Sequence, residues 1–163
     1  MGVMSQPTKT LTIHQPWAWA IAAGHKTVEN RSWTTSYRGP LLIHAGRSRR
    51  SLADGRRFLE RLGFAAPEDY ELPFGAIVAI AWLVECASVR EVVADPFAEG
   101  PWCWILQDVR PVRPVPTAGS QGLFGTPADV VRRLEPVGPE GASRLVGVEP
   151  PPPAWRAGML PLH

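Results

Sequence analysis

The stretch Gly75 to Ala87, GAIVAIAWLVECA, constrains the fold more than any other part of this chain. It is apolar without a break from Ala76 to Val84, with small and large residues alternating. It is far shorter than the roughly 20 residues a membrane-spanning helix needs. Continuous apolarity over strand length predicts a β-strand covered on both faces. Shorter segments of β character surround it. Lys9 to His14 alternates, with Leu11 and Ile13 on one face, and Thr27 to Trp33, Leu41 to Ala45 and Trp102 to Val109 follow. Val112 to Val115 extends the last of these past Pro111, and Pro111, Pro114 and Pro116 place that extension on a sheet edge or outside the sheet.

Helical patterns are fewer. Gln15 to Ala23 reads as a short helix, with Pro16 suited to the first helical position and Gly24 to the stop. Ser36 to Pro40 reads as a turn. Arg49 to Leu62 is amphipathic, with Leu52, Phe58, Leu59 and Leu62 on one face. Ser51 with Asp54 resembles a capping box, and Gly63 suits the C-terminal cap. Its outer face carries Arg49, Arg50, Arg56, Arg57 and Arg61. Thr126-Pro127 opens a last short helix through Leu134. Because strands do not alternate strictly with helices, a parallel βαβ fold is disfavoured. The expectation is an α+β, mainly β, fold: a barrel of five to six strands with two to three peripheral helices. One domain, residues 9–135, suits the length of 163 residues. Residues 136–163 form a Pro/Gly-rich tail, weakly ordered or strapped round the domain, whose run Pro150 to Pro153 must be extended.

Composition narrows the function. The two cysteines, Cys86 and Cys103, make no disulfide framework and have no CxxC spacing. With four scattered histidines, no metal site is expected, and nothing calls for an organic cofactor. No basic segment followed by an apolar one opens the chain, so a reducing, cytoplasmic setting and no membrane partner are expected. The net charge of +2 hides an asymmetry. Residues 1–63 hold ten Lys or Arg against three Asp or Glu, and residues 64–163 hold seven against twelve. A basic face, if folding keeps those charges together, attracts polyanions.

The informative block is Leu11 to Ala45, LTIHQPWAWAIAAGHKTVENRSWTTSYRGPLLIHA. It gathers cations at Lys26, Arg31 and Arg38, aromatics at Trp17, Trp33 and Tyr37, and a carboxylate at Glu29. Arginine and lysine bind phosphates, aromatic faces stack on unpaired bases, and a carboxylate accepts from a base amino group. Plainer readings stand beside these: Trp17 and Trp19 as core, Glu29 and Arg31 as an ion pair, and His44 as a hydrogen-bonded core histidine.

The block closely resembles the signature of the ASCH (activating signal cointegrator homology) family, whose members have a PUA-like β-barrel. The match runs through Gln15, Pro16, Trp17 and Ala18, then Gly24, Lys26, Val28, Glu29 and Arg31, then Ser32-Trp33 and Tyr37 to Pro40. Gly75 to Val78, Trp104 to Leu106 and Gly122 to Phe124 fit later pieces of the pattern. The resemblance implies a cleft that binds RNA, another nucleic acid or a modified nucleotide. It places Lys26, Glu29 and Arg31 on the floor, Gln15 and Trp17 on one wall, and Tyr37 and Arg38 at the rim. Trp104 and Phe124 would close the far side. Trp33 belongs to the same set.

Enzymatic alternatives are open at this stage. Some short ASCH proteins are amidohydrolases with a Lys-x-x-Thr pattern. Here Glu29 stands where that threonine would be, and Thr27 points away from Lys26 on a strand. RNA cleavage is the other enzymatic reading, with His14 or Glu29 as base and Lys26 or Arg31 as the cation on the phosphate. A protein-interaction module using the Pro150 to Pro153 run is a third, with no partner protein indicated.

Overall fold

The computed structural model describes residues 8–137. Six strands, β1 (Lys9–Ile13), β2 (Val28–Arg31), β3 (Gly39–Ala45), β4 (Ala76–Ser88), β5 (Trp102–Pro116) and β6 (Leu123–Gly125), form one sheet in the order β2-β5-β4-β3-β1-β6. β1 and β3 run parallel, with Leu11 opposite Ile43, and every other pair is antiparallel. Three helices accompany it: α1 (Trp17–Ala22), α2 (Leu52–Arg61) and α3 (Ala128–Arg132).

β4 lies inside the sheet and is buried on both sides, as its apolar run requires. Val78, Ala81 and Leu83 join Leu11, Ile13, Leu41, Ile43, Trp104 and Leu106 in the main core, whereas Ile77 packs with Leu42, Val112, Val115 and Val130 in another. Register shifts after Ile77, Ile80 and Leu83 interrupt its ladder with β5. Such bulges bend and twist a strand, and the sheet curls into a half-barrel. The curl brings the first strand of that order to the penultimate one: Arg31 of β2 donates from Nη2 to the Thr12 carbonyl of β1 at 2.9 Å.

β5 is one continuous strand through its prolines. β2 pairs only with Trp102 to Ile105, so the Pro-rich half of β5 has β4 on one side and an open edge on the other. A proline on such an edge loses no ladder donor. Part of that edge is covered by the start of the tail: Arg113 N–H donates to the Glu135 carbonyl at 2.9 Å, and Val137 N–H to the Pro111 carbonyl at 3.0 Å. The tail from residue 138 onward, including Pro150 to Pro153, lies outside the described residues. β6, three residues long, is too short for its periodicity to announce it.

Helix capping differs from expectation. Ser51 stands at the N-cap of α2, but its side chain makes no capping bond; its Oγ is 3.1 Å from His14 Nδ1 instead. Pro16 stands before α1 rather than within it, and Gln15 supplies the cap, its Oε1 accepting from Trp19 N–H at 2.8 Å. Gly55, an unfavourable residue inside a helix, lets α2 approach the start of α1. A Cβ there would lie 2.6 Å from Pro16 Cδ and 3.2 Å from Trp17 Cζ2.

Candidate functional site

That close approach of α1 and α2 builds one wall of a cleft. Its volume is about 200 Å3, and Trp17, Lys26, Glu29, Asn30, Phe58, Phe97 and Glu99 line it. The amphipathic face of α2 delivers Phe58, whose ring meets Trp17 edge-on at 5.6 Å. Phe97, from the loop between β4 and β5, completes the aromatic wall at 6.4 Å from Trp17 and 5.6 Å from Phe58. The Arg61 guanidinium, one turn along α2, lies 5.8 Å from the Phe58 centroid, so the arginine-rich helix does bring positive charge to the cleft.

The polar end of the cleft is a buried ion pair. Lys26 Nζ lies 3.0 Å from Glu29 Oε2, also donates to the Val28 carbonyl, and sits 5.9 Å from the Phe97 centroid. Lys26 is 3 % exposed and Glu29 9 %, so water screens this pair little. The other carboxylate oxygen of Glu29 is 3.7 Å from Arg31 Nε. Strand alternation explains the sharing: Glu29 and Arg31 point to one face of β2, while Val28 and Asn30 point to the other. Val28 packs there with Ala20, Leu59, Phe97 and Cys103. Asn30 holds the β4–β5 loop: Nδ2 donates to the Phe97 carbonyl at 2.8 Å, and Oδ1 accepts from Glu99 and Gly100 N–H at 2.8 and 2.9 Å.

His14 stands beside this pair, bonded to Ser51. Partial burial pushes its pKa below the usual value, the positive charges of Arg50 and Arg31 push further the same way, and Glu29 opposes them. These surroundings favour the neutral imidazole over the charged one. His44 is a core histidine. Nδ1 is 3.1 Å from Thr12 Oγ1 and Nε2 is 2.8 Å from the Thr117 carbonyl, and burial again lowers the pKa.

The structure brings together only part of the expected set. Trp17, Lys26 and Glu29 line the cleft, with Arg31 adjoining through Glu29. Gln15 is not a wall: it is fully buried, and besides capping α1 it donates from Nε2 to the Pro73 carbonyl at 2.9 Å. Trp104 does not close the far side either. It is fully buried, 4.7 Å edge-on from Trp33, and donates from Nε1 to the Trp33 carbonyl, so both rings serve the main core. Phe124 is on β6, an edge strand, opposite Thr10 and outside the cleft lining. Tyr37 and Arg38 organise the turn before β3: the Tyr37 hydroxyl donates to the Pro40 carbonyl, and Arg38 donates to the Thr35 and Tyr37 carbonyls and pairs with Glu85 at 3.3 Å. Both cysteines are free thiols, and burial raises the Cys103 pKa. Among the described residues no helix is long and apolar enough to cross a membrane.

Sequence reasoning missed Asn30, Phe58, Phe97 and Glu99 as cleft residues. Asn30 is the unspecified position inside the Glu-x-Arg motif, and the periodicity that puts Phe58 on the apolar face of α2 names no destination for it. Phe97 and Glu99 lie in an irregular loop about 70 residues from β2, with no local pattern to mark them.

A sequence model of the ASCH domain matches residues 11–114. The chain is similar to activating signal cointegrator 1 of Homo sapiens, 36% identical over 87 residues, which is 50% of this chain and 15% of that protein. The Mus musculus protein of the same name is 37% identical over the same length. The chain thus spans only a small part of these relatives. Among solved structures, ASCH from Zymomonas mobilis aligns with a TM-score of 0.52 at 17% identity, over 77% of this chain and 92% of that one. A substituted form of that protein gives 0.51 at 15%, over 78% and 96%. At such identities the structural likeness speaks for the fold, a PUA-like half-barrel. Matched over more than half its length and carrying that fold, this chain belongs to the ASCH domain family.

Proposed function

We propose that this chain binds single-stranded nucleic acid, RNA in the first place, taking one unpaired base into the cleft while the phosphates run along the arginines outside it. The observation that carries this reading is the aromatic cleft of Trp17, Phe58 and Phe97 with cations close by at Arg31 and Arg61. Base stacking on an aromatic side chain contributes about 1–3 kcal/mol per base. A volume of about 200 Å3 is below the roughly 300–1,000 Å3 of sites for larger small molecules, and it suits a single base. The association of the ASCH family with RNA binding supports the same reading. Arg31 and the exposed Arg50 flank His14 and offer guanidinium groups to phosphate.

One observation favours a second reading, RNA cleavage. His14 with guanidinium groups beside it has the parts of a general base and a phosphate clamp. Amidohydrolysis has less support. Lys26 is buried against Glu29 while Thr27 is exposed, so no hydroxyl joins the lysine.

The test is fluorescence anisotropy with labelled single-stranded RNA, single-stranded DNA and duplex DNA at two salt concentrations, with the RNA run on a gel afterwards. Salt-sensitive binding that Arg31→Ala/Arg50→Ala weakens, with intact RNA, supports the binding reading. Cleavage lost in His14→Ala moves the assignment to a ribonuclease. No binding of any oligonucleotide overturns both and points to a protein partner.

A further inference from the structure

The helices α1 and α2 end in the same way. At each C-terminus the chain turns through a left-handed glycine, Gly24 with φ at +76° and Gly63 with φ at +86°. Gly24 N–H donates to the Ile21 carbonyl at 2.8 Å, and His25 N–H to the Ala20 carbonyl at 2.9 Å. Gly63 N–H donates to the Glu60 carbonyl at 2.9 Å, and Phe64 N–H to the Leu59 carbonyl at 2.9 Å. Both patterns are Schellman motifs, which satisfy the last carbonyls of a helix and fix the course of the residue after the glycine. The residues so placed are His25 and Phe64, and their rings stack on each other, 4.1 Å apart and 19° from parallel. One ring pair thus ties the end of α1 to the end of α2.

The stack extends in both directions. Trp19 of α1 meets the His25 ring at 5.3 Å. Phe64 lies 6.4 Å from Phe97 and 15° from parallel with it. Phe97 is a wall of the cleft, and α1 and α2 supply the other two aromatic walls, Trp17 and Phe58. His25 and Phe64 themselves stand outside the lining. Among the described residues the His25 imidazole has ring contacts and no hydrogen bond, so no polar partner competes with its stacking. We propose that His25 and Phe64 are positioning residues, whose stack locks α1 against α2 and holds the Trp17, Phe58 and Phe97 rings at the spacing that admits a base. The proposal rests on the nucleic-acid reading above and adds the part of the fold that shapes the cleft. What the imidazole supplies is a ring face, so a phenyl ring can replace it and a side chain without a ring cannot.

The test measures anisotropy at one salt concentration with two labelled chains of equal length, single-stranded RNA and a chain of abasic ribose phosphates. Both carry the same phosphate charge, so the ratio of their affinities reports the bases alone. It is measured for wild type, His25→Ala, His25→Gln, Phe64→Ala, the double alanine variant and His25→Phe. Both positions are half-buried, and circular dichroism checks that each variant is folded. Wild type is expected to prefer the RNA. His25→Ala, His25→Gln and Phe64→Ala should each shrink that preference by about two- to tenfold, the contribution of one aromatic pair, with the abasic affinity unchanged. The double variant should lose no more than either single one, because both remove the same stack. His25→Phe should keep the wild-type preference. A preference that survives in His25→Ala or His25→Gln, or that His25→Phe loses as well, overturns the positioning role while leaving nucleic-acid binding in place. Equal binding of the two chains by wild type overturns base entry and this proposal with it, and failure of both to bind overturns the nucleic-acid reading as a whole.

Discussion

Replacing Glu29 with alanine is expected to be the most damaging single change at the cleft. The reason is the burial of its partner: the Lys26 side chain is 4% exposed, and among the described residues the ammonium meets Glu29 Oε2 at 3.0 Å, the Val28 carbonyl and the Phe97 ring face. Removing the carboxylate strands a buried positive charge and leaves the Arg31 guanidinium, whose Nε has no hydrogen bond among the described residues, without its neighbouring counter-charge. Breaking a buried pair from one side costs about 3–5 kcal/mol. For a chain of this size that corresponds to a fall of roughly 6–20 °C in Tm. Lys26→Met should cost less, about 1–3 kcal/mol, because Glu29 keeps Arg31 as a partner and the methionine refills the space beside Phe97. The double variant Lys26→Met/Glu29→Ala should be more stable than Glu29→Ala alone, since no charge is then stranded. Urea and thermal unfolding followed by circular dichroism measure all four proteins. The reasoning is refuted if Glu29→Ala unfolds like wild type, or if Lys26→Met proves the more damaging of the two singles.

Four further outcomes follow from the same geometry. Asn30→Ala removes the acceptor for Glu99 and Gly100 N–H and should cost about 1–3 kcal/mol in urea unfolding. Gly55→Ala gains about 1 kcal/mol of helix propensity but meets the Pro16 ring at 2.6 Å. With about 1–3 kcal/mol for overpacking, its net cost is small, but it spreads Trp17 from Phe58 and should weaken oligonucleotide binding in anisotropy. Burial holds the folded-state pKa of His44 below 6.5, so its contribution is present above that pH and is lost as the pH falls. Wild type should lose stability as the pH falls from about 7 to about 5, and His44→Gln should flatten that loss in urea titrations without abolishing it, because His14 and His25 are shifted the same way. If Arg31 and Arg50 each contact a phosphate, each alanine substitution should reduce the slope of log affinity against log salt by about 0.7.

The fold was legible wherever apolar spacing was long enough to be unambiguous. The unbroken run in β4 announced a strand covered on both faces, and the amphipathic pattern of α2 announced its packing side. β5 was harder, because its prolines look like strand breakers until it is known that β2 stops opposite Ile105 and leaves an open edge beyond. That is a tertiary fact with no local signal. At the cleft, Trp17, Lys26, Glu29 and Arg31 lie close together in sequence and were visible as a cluster. Gln15, Trp33 and Trp104 share that motif vocabulary but serve capping and core packing, and only their partners in the fold tell the two roles apart. Phe97 and Glu99 were invisible because an irregular loop has no period. Their place depends on hydrogen bonds to Asn30, some 70 residues away.

The central claim, that an unpaired base enters the aromatic cleft, is tested most directly by following the tryptophan indole N–H signals in NMR spectra as single-stranded RNA is added. The sequence has seven tryptophans, and Trp17→Phe assigns the one that lines the cleft. The Trp17 signal should move progressively with RNA while that of the fully buried Trp104 stays in place. Saturable RNA binding with the Trp17 signal unmoved would contradict the claim and place the nucleic acid on another face.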